Sequence, residues 1–328
     1  MRRAAVVGAT GWGVTLAILL ARNGVSVTLL ARSDDEAARL RSDGSHARLP
    51  DVAFPPGLGL SADLAVLEDA DLICFVVPAQ TMAENAAAVA SHVPPATPLL
   101  SGSKGIETES GRRMTEVLAS LLPGRPLAAL SGPNLSREIA PGLPGATVIA
   151  SADPSLEAIR AAFHSASFRV YTSGDVVGVE FGGALKNIIA IAAGMADAFG
   201  FGDNAKAALI TRGLAEISRL GVAAGADPLT FQGLAGVGDL MATSYSPLSR
   251  NRRLGELVGG GSGLGDALAT IGETVEGVTT TPAALRLAAR LGVELPIAGA
   301  LQAILDGKIS PQEAMTALLG RDPMAELA

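Results

Sequence analysis

The strongest constraint on this chain is a run of 18 residues, Ala4–Ala21, that carries no charge and follows Arg2 and Arg3. Its length approaches that of a membrane span, and its basic flank resembles a secretory leader. Gly8, Gly11 and Gly13 stand in its middle, where either kind of helix needs continuity. No polar stretch with a small-residue cleavage site follows before Arg22, and a new apolar strand pattern begins after Gly24. The run therefore reads as strand, glycine turn and helix. Ala4–Val7 is extended, and Gly11–Asn23 is helical, with Val14, Ala17, Ile18 and Ala21 on its apolar face and Gly24 at its C′ end. The mean hydropathy of +0.38 is high. Only 3% of residues are aromatic, so the apolarity is that of Ala, Val, Leu and Ile, which suits packed α/β layers. No membrane span is expected.

Further strands are expected at Val25–Leu30, Asp71–Val77, Pro98–Leu100, Leu127–Leu130, Ala146–Ala150 and Arg169–Tyr171. Helical patterns lie between them: one opened by a Ser33/Glu36 capping box, then Met82–Ala90, Gly111–Leu121 and Pro154–Phe163. This alternation predicts a largely parallel, doubly wound sheet over residues 1–178. From 179 to 328 the pattern is helix after helix. It includes Glu180–Ala198 and Asn204–Leu220, and helix starts are expected at Asp227-Pro228, Thr281-Pro282 and Ser310-Pro311-Gln312-Glu313. The expected fold class is thus an α/β Rossmann-like N-terminal domain followed by an all-α C-terminal domain. The cleft between them is the expected site.

A formal net charge of −7 and scarce aromatics argue against nucleic acid as a partner. The single cysteine, Cys74, cannot form an internal disulfide, which suits a reducing cytoplasm. Of 25 basic residues only Lys104, Lys186, Lys206 and Lys308 are lysines. Arginine supplies the general positive surface, so lysine is enriched for a task that needs a titratable amine.

The turn Gly8-Ala9-Thr10-Gly11-Trp12-Gly13 lies between strand and helix, the context in which glycines let a backbone approach a pyrophosphate. Its spacing is irregular. G-x-G-x-x-G would need glycine at Thr10, and G-A-T-G-x-x-G would need it at Val14. The second strand ends Leu29-Leu30-Ala31-Arg32-Ser33, with no acid at its tip to bind ribose hydroxyls. Arg32 is placed to meet a 2′-phosphate, so the expected cofactor is NADPH, with NADH accepted.

Ser103-Lys104-Gly105 follows the C-terminal end of a strand, where ligands bind in such sheets. Gly183-Ala184-Leu185-Lys186-Asn187 places an amine in an apolar helix at the domain junction, and Gly238-Asp239-Leu240 supplies a carboxylate. Ser249-Arg250-Asn251-Arg252-Arg253 opens a helix with donors suited to phosphate. His46, His92 and His164 match no metal spacing, so no metal is expected. Neither a G-x-S-x-G elbow nor a Walker A sequence occurs. Lysine is left as the acid/base candidate for hydride chemistry.

At these residues the sequence resembles the bacterial NAD(P)H-dependent glycerol-3-phosphate dehydrogenase family, from the first strand to about Arg321. The specific pieces are Gly182–Asn187, Ala208–Glu216, Gly238-Asp239-Leu240 and Ser249–Arg253, with Ser131-Gly132-Pro133 and Val275-Glu276-Gly277 in support. The resemblance implies interconversion of dihydroxyacetone phosphate and sn-glycerol 3-phosphate, a phospholipid precursor. It implies Lys186 as the proton-transferring residue. Lys104, Gly132, Asn134, Lys186 itself, Asp239, Ser249, Arg250 and Asn251 fall at substrate-binding positions. Gly11, Trp12, Arg32, Lys104, Ser136, Arg250, Thr274 and Glu276 fall at cofactor-binding positions, to which the glycine turn itself adds Gly8 and Gly13. It further implies a cytoplasmic homodimer. Thr10-Gly11 departs from the family's usual Gly-Ser, Asn134 from Thr or Ser, and Ser136 from Ala. Two other readings stand beside it: a different two-domain NAD(P)-dependent hydroxyacid dehydrogenase, and a non-catalytic NADPH-binding sensor.

Overall fold

The computed structural model describes residues 1–319; residues 320–328, the end of the helical domain expected over 179–328, lie outside the described residues. The strands are β1 (Arg3–Val7), β2 (Ser26–Leu30), β3 (Ser45–His46), β4 (Leu49–Ala53), β5 (Gly59–Ser61), β6 (Leu72–Phe75), β7 (Leu99–Ser101), β8 (Leu127–Ser131), β9 (Gly145–Ala150) and β10 (Phe168–Ser173). The helices of this half are α1 (Gly11–Arg22), α2 (Asp34–Asp43), α3 (Met82–Val89), α4 (Met114–Leu121), α5 (Ser136–Ile139) and α6 (Leu156–Phe163). The helical half contains α7 (Val176–Ala198), α8 (Gly202–Ala223), α9 (Asp239–Tyr245), α10 (Arg250–Gly259), α11 (Leu264–Ile271), α12 (Glu276–Leu291), α13 (Pro296–Leu305) and α14 (Pro311–Leu319).

Eight strands form one sheet in the order β10-β9-β8-β7-β6-β1-β2-β5. Every neighbouring pair is parallel except β8 with β9. Both faces are covered, which explains the near-continuous apolar strands. On β1, Ala4 and Val6 join the core beneath α1 and α6, whereas Ala5 and Val7 join the one beneath α3 and α4. Strand order reverses at β1. The chain leaves it for β2 on one side, and β6 returns on the other. Val7 pairs with both Leu30 and Phe75, so three strands end together just below Gly8. A crevice at such a switch point is where open α/β sheets bind ligands.

Helix α7 is the axis of the second half. It is long and apolar enough to cross a membrane, but 83% of its most apolar window is buried inside the protein. Its neighbours approach closely because it carries glycines. A Cβ on Gly194 would meet the Arg252 carbonyl oxygen at 2.0 Å.

The structure corrects several local expectations. Thr281-Pro282 does not start a helix, because α12 begins at Glu276 and Pro282 lies inside it. Tertiary bonds set that earlier start: Asn251 Oδ1 accepts from Gly277 N (3.0 Å), and Glu276 Oε1 from Ala79 N (3.0 Å). The Thr281 hydroxyl folds back to donate to the Gly277 carbonyl at 2.6 Å. Asp227-Pro228 opens only a short 3-10 turn, Pro228–Gln232. The 111–121 pattern becomes helical at Met114, because Arg113 pairs with Ile106 in an isolated bridge. The β3–β4 hairpin, β5 and α5 carry too little periodic sequence to be read in advance.

Candidate active site

The glycine turn is built by close approach. Gly8 has φ +109°, and a Cβ there would lie 2.6 Å from the Val76 carbonyl oxygen. A Cβ on Gly13 would lie 2.1 Å from the Gly8 carbonyl oxygen. Thr10, which breaks the spacing, has a structural task. Its Oγ1 caps α1 by accepting from Gly13 N (3.0 Å) and donates to the Val76 carbonyl (2.9 Å). Free backbone N–H groups and the positive end of α1 therefore face the crevice.

Among the described residues, Trp12 Nε1, Glu276 Oε2 and Thr280 Oγ1 are buried in this region without a protein hydrogen-bond partner. The Trp12 nitrogen is 3.4 Å from where a Gly102 Cβ would stand, and Glu276 Oε2 is 3.2 Å from that of Gly105. A narrow glycine-lined cradle with unpaired polar groups fits a dinucleotide. Burial raises the Glu276 carboxyl above the usual range, against the opposing effects of the Ala79 N–H and Arg250. Ser136 begins α5, and Thr274 is exposed two residues before Glu276.

Arg32 stands at the tip of β2 with its side chain 85% exposed and paired to Glu36 at 3.0 Å. Glu36 also accepts from Arg32 N (2.9 Å), so an acid does reach the strand tip, from the first turn of α2. No strand-end signal revealed it, because it arrives from the next helix.

The chemical centre lies where α7, α9 and the loop after β7 meet. Gly182 and Gly183, one turn before Lys186, let this happen. A Cβ on Gly182 would lie 2.3 Å from the Ala235 carbonyl oxygen, and one on Gly183 would lie 2.4 Å from Ser131 Oγ. The widened turn Leu234–Gly238, which leads into Asp239, is thus drawn against α7, as is the end of β8. Gly182→Ala is expected to force these apart, costing about 1–3 kcal/mol. A lower denaturation midpoint together with a lower kcat checks this.

Lys186 Nζ donates to Asp239 Oδ1 (2.5 Å) and Thr243 Oγ1 (2.6 Å). Lys104 Nζ donates to Asp239 Oδ2 (2.6 Å) and to the Gly132 carbonyl (2.7 Å). One carboxylate, 1% exposed, therefore holds two amines side by side. Burial brings the Lys186 amine down to about 7; Asp239 works against that shift and Lys104 adds to it. A lysine there can give or take a proton near neutrality.

Around this centre Asn187 Oδ1 accepts from Asn251 Nδ2 (2.8 Å), and Asn187 Nδ2 reaches the Lys104 carbonyl (3.4 Å). Asn134 Nδ2 donates to Thr147 Oγ1 (3.0 Å), leaving its buried Oδ1 unpartnered beside Gly132. Ser249 caps α10 through Arg252 N (3.2 Å). Arg250, 40% exposed in its side chain, reaches Glu273 at 3.4 Å, and Glu273 also binds Arg48 at 3.2 Å.

Lys104, Gly132, Lys186 and Asp239 are thus bonded directly together, Asn251 is linked to Lys104 through Asn187, and Asn134 bonds outside the cluster, to Thr147. Arg32 makes none of these contacts. Sequence reasoning missed Thr243, Arg48 and Glu273, and read Glu36 only as a helix-capping residue. Thr243 is one helical turn from Asp239, which is a usable signal; Arg48 and Glu273 had none.

A doubly wound domain with a glycine turn at its switch point, facing a helical domain with a buried titratable lysine, defines a two-domain dinucleotide-dependent dehydrogenase. Comparison with known proteins is narrower. The pattern of the NAD-dependent glycerol-3-phosphate dehydrogenase N-terminus matches residues 3–157, and that of its C-terminus matches 175–316. Glycerol-3-phosphate dehydrogenase, NAD(P)+, from Streptomyces griseus is 44% identical, covering 99% of this chain and 98% of its own. The Anaeromyxobacter dehalogenans protein of that name is 46% identical, covering 99% and 100%. The crystal structure of the Coxiella burnetii glycerol-3-phosphate dehydrogenase superposes with a TM-score of 0.94 at 37% identity, covering 98% and 99%. This chain belongs to the NAD-dependent glycerol-3-phosphate dehydrogenase family, and it is an oxidoreductase.

Proposed function

We propose that the chain interconverts dihydroxyacetone phosphate and sn-glycerol 3-phosphate using NAD(P)H, with Lys186 as proton donor and acceptor. The observation that carries this is the buried Lys186–Asp239–Lys104 cluster, with its lysine brought to about 7. The bound dinucleotide supplies or accepts the hydride. In reduction Lys186 gives its proton to the carbonyl oxygen as that oxygen becomes a hydroxyl; in oxidation it takes the proton back. Lys104 supplies fixed positive charge near the same oxygen, where negative charge develops. Asp239 holds both amines in place.

Arg250 and Asn251, at the start of α10, are the proposed phosphate ligands. They anchor the substrate remotely and so orient its carbonyl. The glycine turn, Trp12, Ser136, Thr274 and Glu276 are proposed to line the cofactor path. Arg32 supports NADPH as the reductant, with NADH also used. We place the enzyme in the cytoplasm as a homodimer, supplying glycerol 3-phosphate for phospholipid synthesis. The lone buried Cys74 suits a reducing compartment.

The test is NADPH oxidation by purified protein with dihydroxyacetone phosphate beside unphosphorylated dihydroxyacetone. Turnover should depend on the phosphate; equal turnover of both would count against this substrate. Arg250→Ala is expected to raise KM for the phosphorylated ketone by about 10- to 100-fold, the worth of a charge-assisted hydrogen bond. Unchanged kinetics would remove Arg250 from the phosphate site.

A further inference from the structure

The β3–β4 hairpin lies across the glycine turn, and His46 is the group that seats it. His46 Nε2 is 3.1 Å from the Ala9 carbonyl oxygen, inside the turn, and His46 Nδ1 is 3.1 Å from Arg48 N. The partners assign the tautomer. A carbonyl only accepts, so Nε2 carries the proton; a backbone N–H only donates, so Nδ1 is bare. Arg48 then packs its stem on the turn, its Cδ 3.6 Å from the position of a Gly11 Cβ, and its guanidinium reaches Glu273 in the helical domain.

We propose that neutral His46 is a positioning residue for the dinucleotide turn, holding the hairpin and Arg48 in their binding arrangement. The inference rests on the dinucleotide reading of that turn. Protonation would put a hydrogen on Nδ1, facing the Arg48 N–H, and would break the bond that shapes the hairpin. The groups facing His46 are Arg48 on its own hairpin, Glu36 of α2 and Glu273 of the helical domain. Burial and Arg48 oppose the charged ring, while the two carboxylates favour it; the balance holds its pKa below the ordinary histidine value. The seated hairpin is therefore fully stable above the ordinary histidine range and loosens as pH falls from there through the lowered value.

Trp12 is the single tryptophan and sits in the turn, so its fluorescence reports binding. NAD+ is the probe, because it survives acid and lacks the 2′-phosphate that would itself titrate. Its Kd for the unmodified protein should rise about five-fold between about pH 8 and about pH 5, the worth of one hydrogen bond. His46→Asn keeps an acceptor for Arg48 N as an Asx turn, and His46→Gln keeps a donor for the Ala9 carbonyl; neither titrates. Both should bind NAD+ with a Kd that stays flat over the same range. A flat profile in the unmodified protein, or the same acid rise in both variants, overturns the proposal. Absence of NAD+ binding at every pH would instead overturn the dinucleotide reading.

Discussion

Lys186→Ala should bind NADPH within a few-fold of the unmodified protein yet reduce dihydroxyacetone phosphate about 10²–10⁴ times more slowly, the usual share of a positioned acid. The amine lies in the chemical centre, and none of the glycine-turn bonds involve it. Asp239 keeps its bond to Lys104 in this variant, and Gly182 still packs α7 against the Ala235 carbonyl, so α9 should stay in place. Titration fixes the sign of the pH effect. Reduction needs the charged amine, so its rate should fall as pH rises through about 7. Oxidation needs the neutral amine, so its rate should rise through the same region. Stopped-flow rates in both directions, with NADPH binding measured separately, check this. Near-normal turnover in the variant would end the proposed role of Lys186.

Asp239→Asn should do nearly as much damage by a different route. The carboxylate is the shared acceptor for two amines, with a lysine on each oxygen. Removing its charge leaves buried cations uncompensated, a change that typically costs about 3–5 kcal/mol. The amines can escape that cost only by losing protons. The stability loss should therefore be largest in mild acid and shrink in alkali, as urea unfolding at several pH values would reveal. The negative charge of Asp239 also holds the Lys186 pKa up, so the fall in reduction rate should move to lower pH. A variant equally destabilised at all pH values, with an unmoved rate profile, would show that Asp239 does not set the state of Lys186.

The glycine turn was legible before any fold was known, because steric freedom at Gly8 and Gly13 is a local property. The irregular spacing there turned out to be a substitution of function. Thr10 caps α1 and ties it to Val76, just past the end of β6, two bonds that a glycine cannot make. Pro282 misled for the opposite reason. Proline at a helix start is a sound local signal, but bonds from Asn251 and Ala79 fixed the start of α12 earlier. The hairpin that carries His46 and Arg48 was invisible because its two strands are short and half exposed.

By itself the sequence determined the order of the layers, the turn for the dinucleotide and the family motifs. Each follows from periodicity, glycine sterics or residue identity within a short window. Only the tertiary structure decided that Lys104, Lys186 and Asp239 form one site, since Asp239 is 135 residues from one lysine and 53 from the other. It also decided what the lysine can do. An amine's pKa depends on how much water, and which charges, the rest of the chain leaves around it, and no local pattern encodes that.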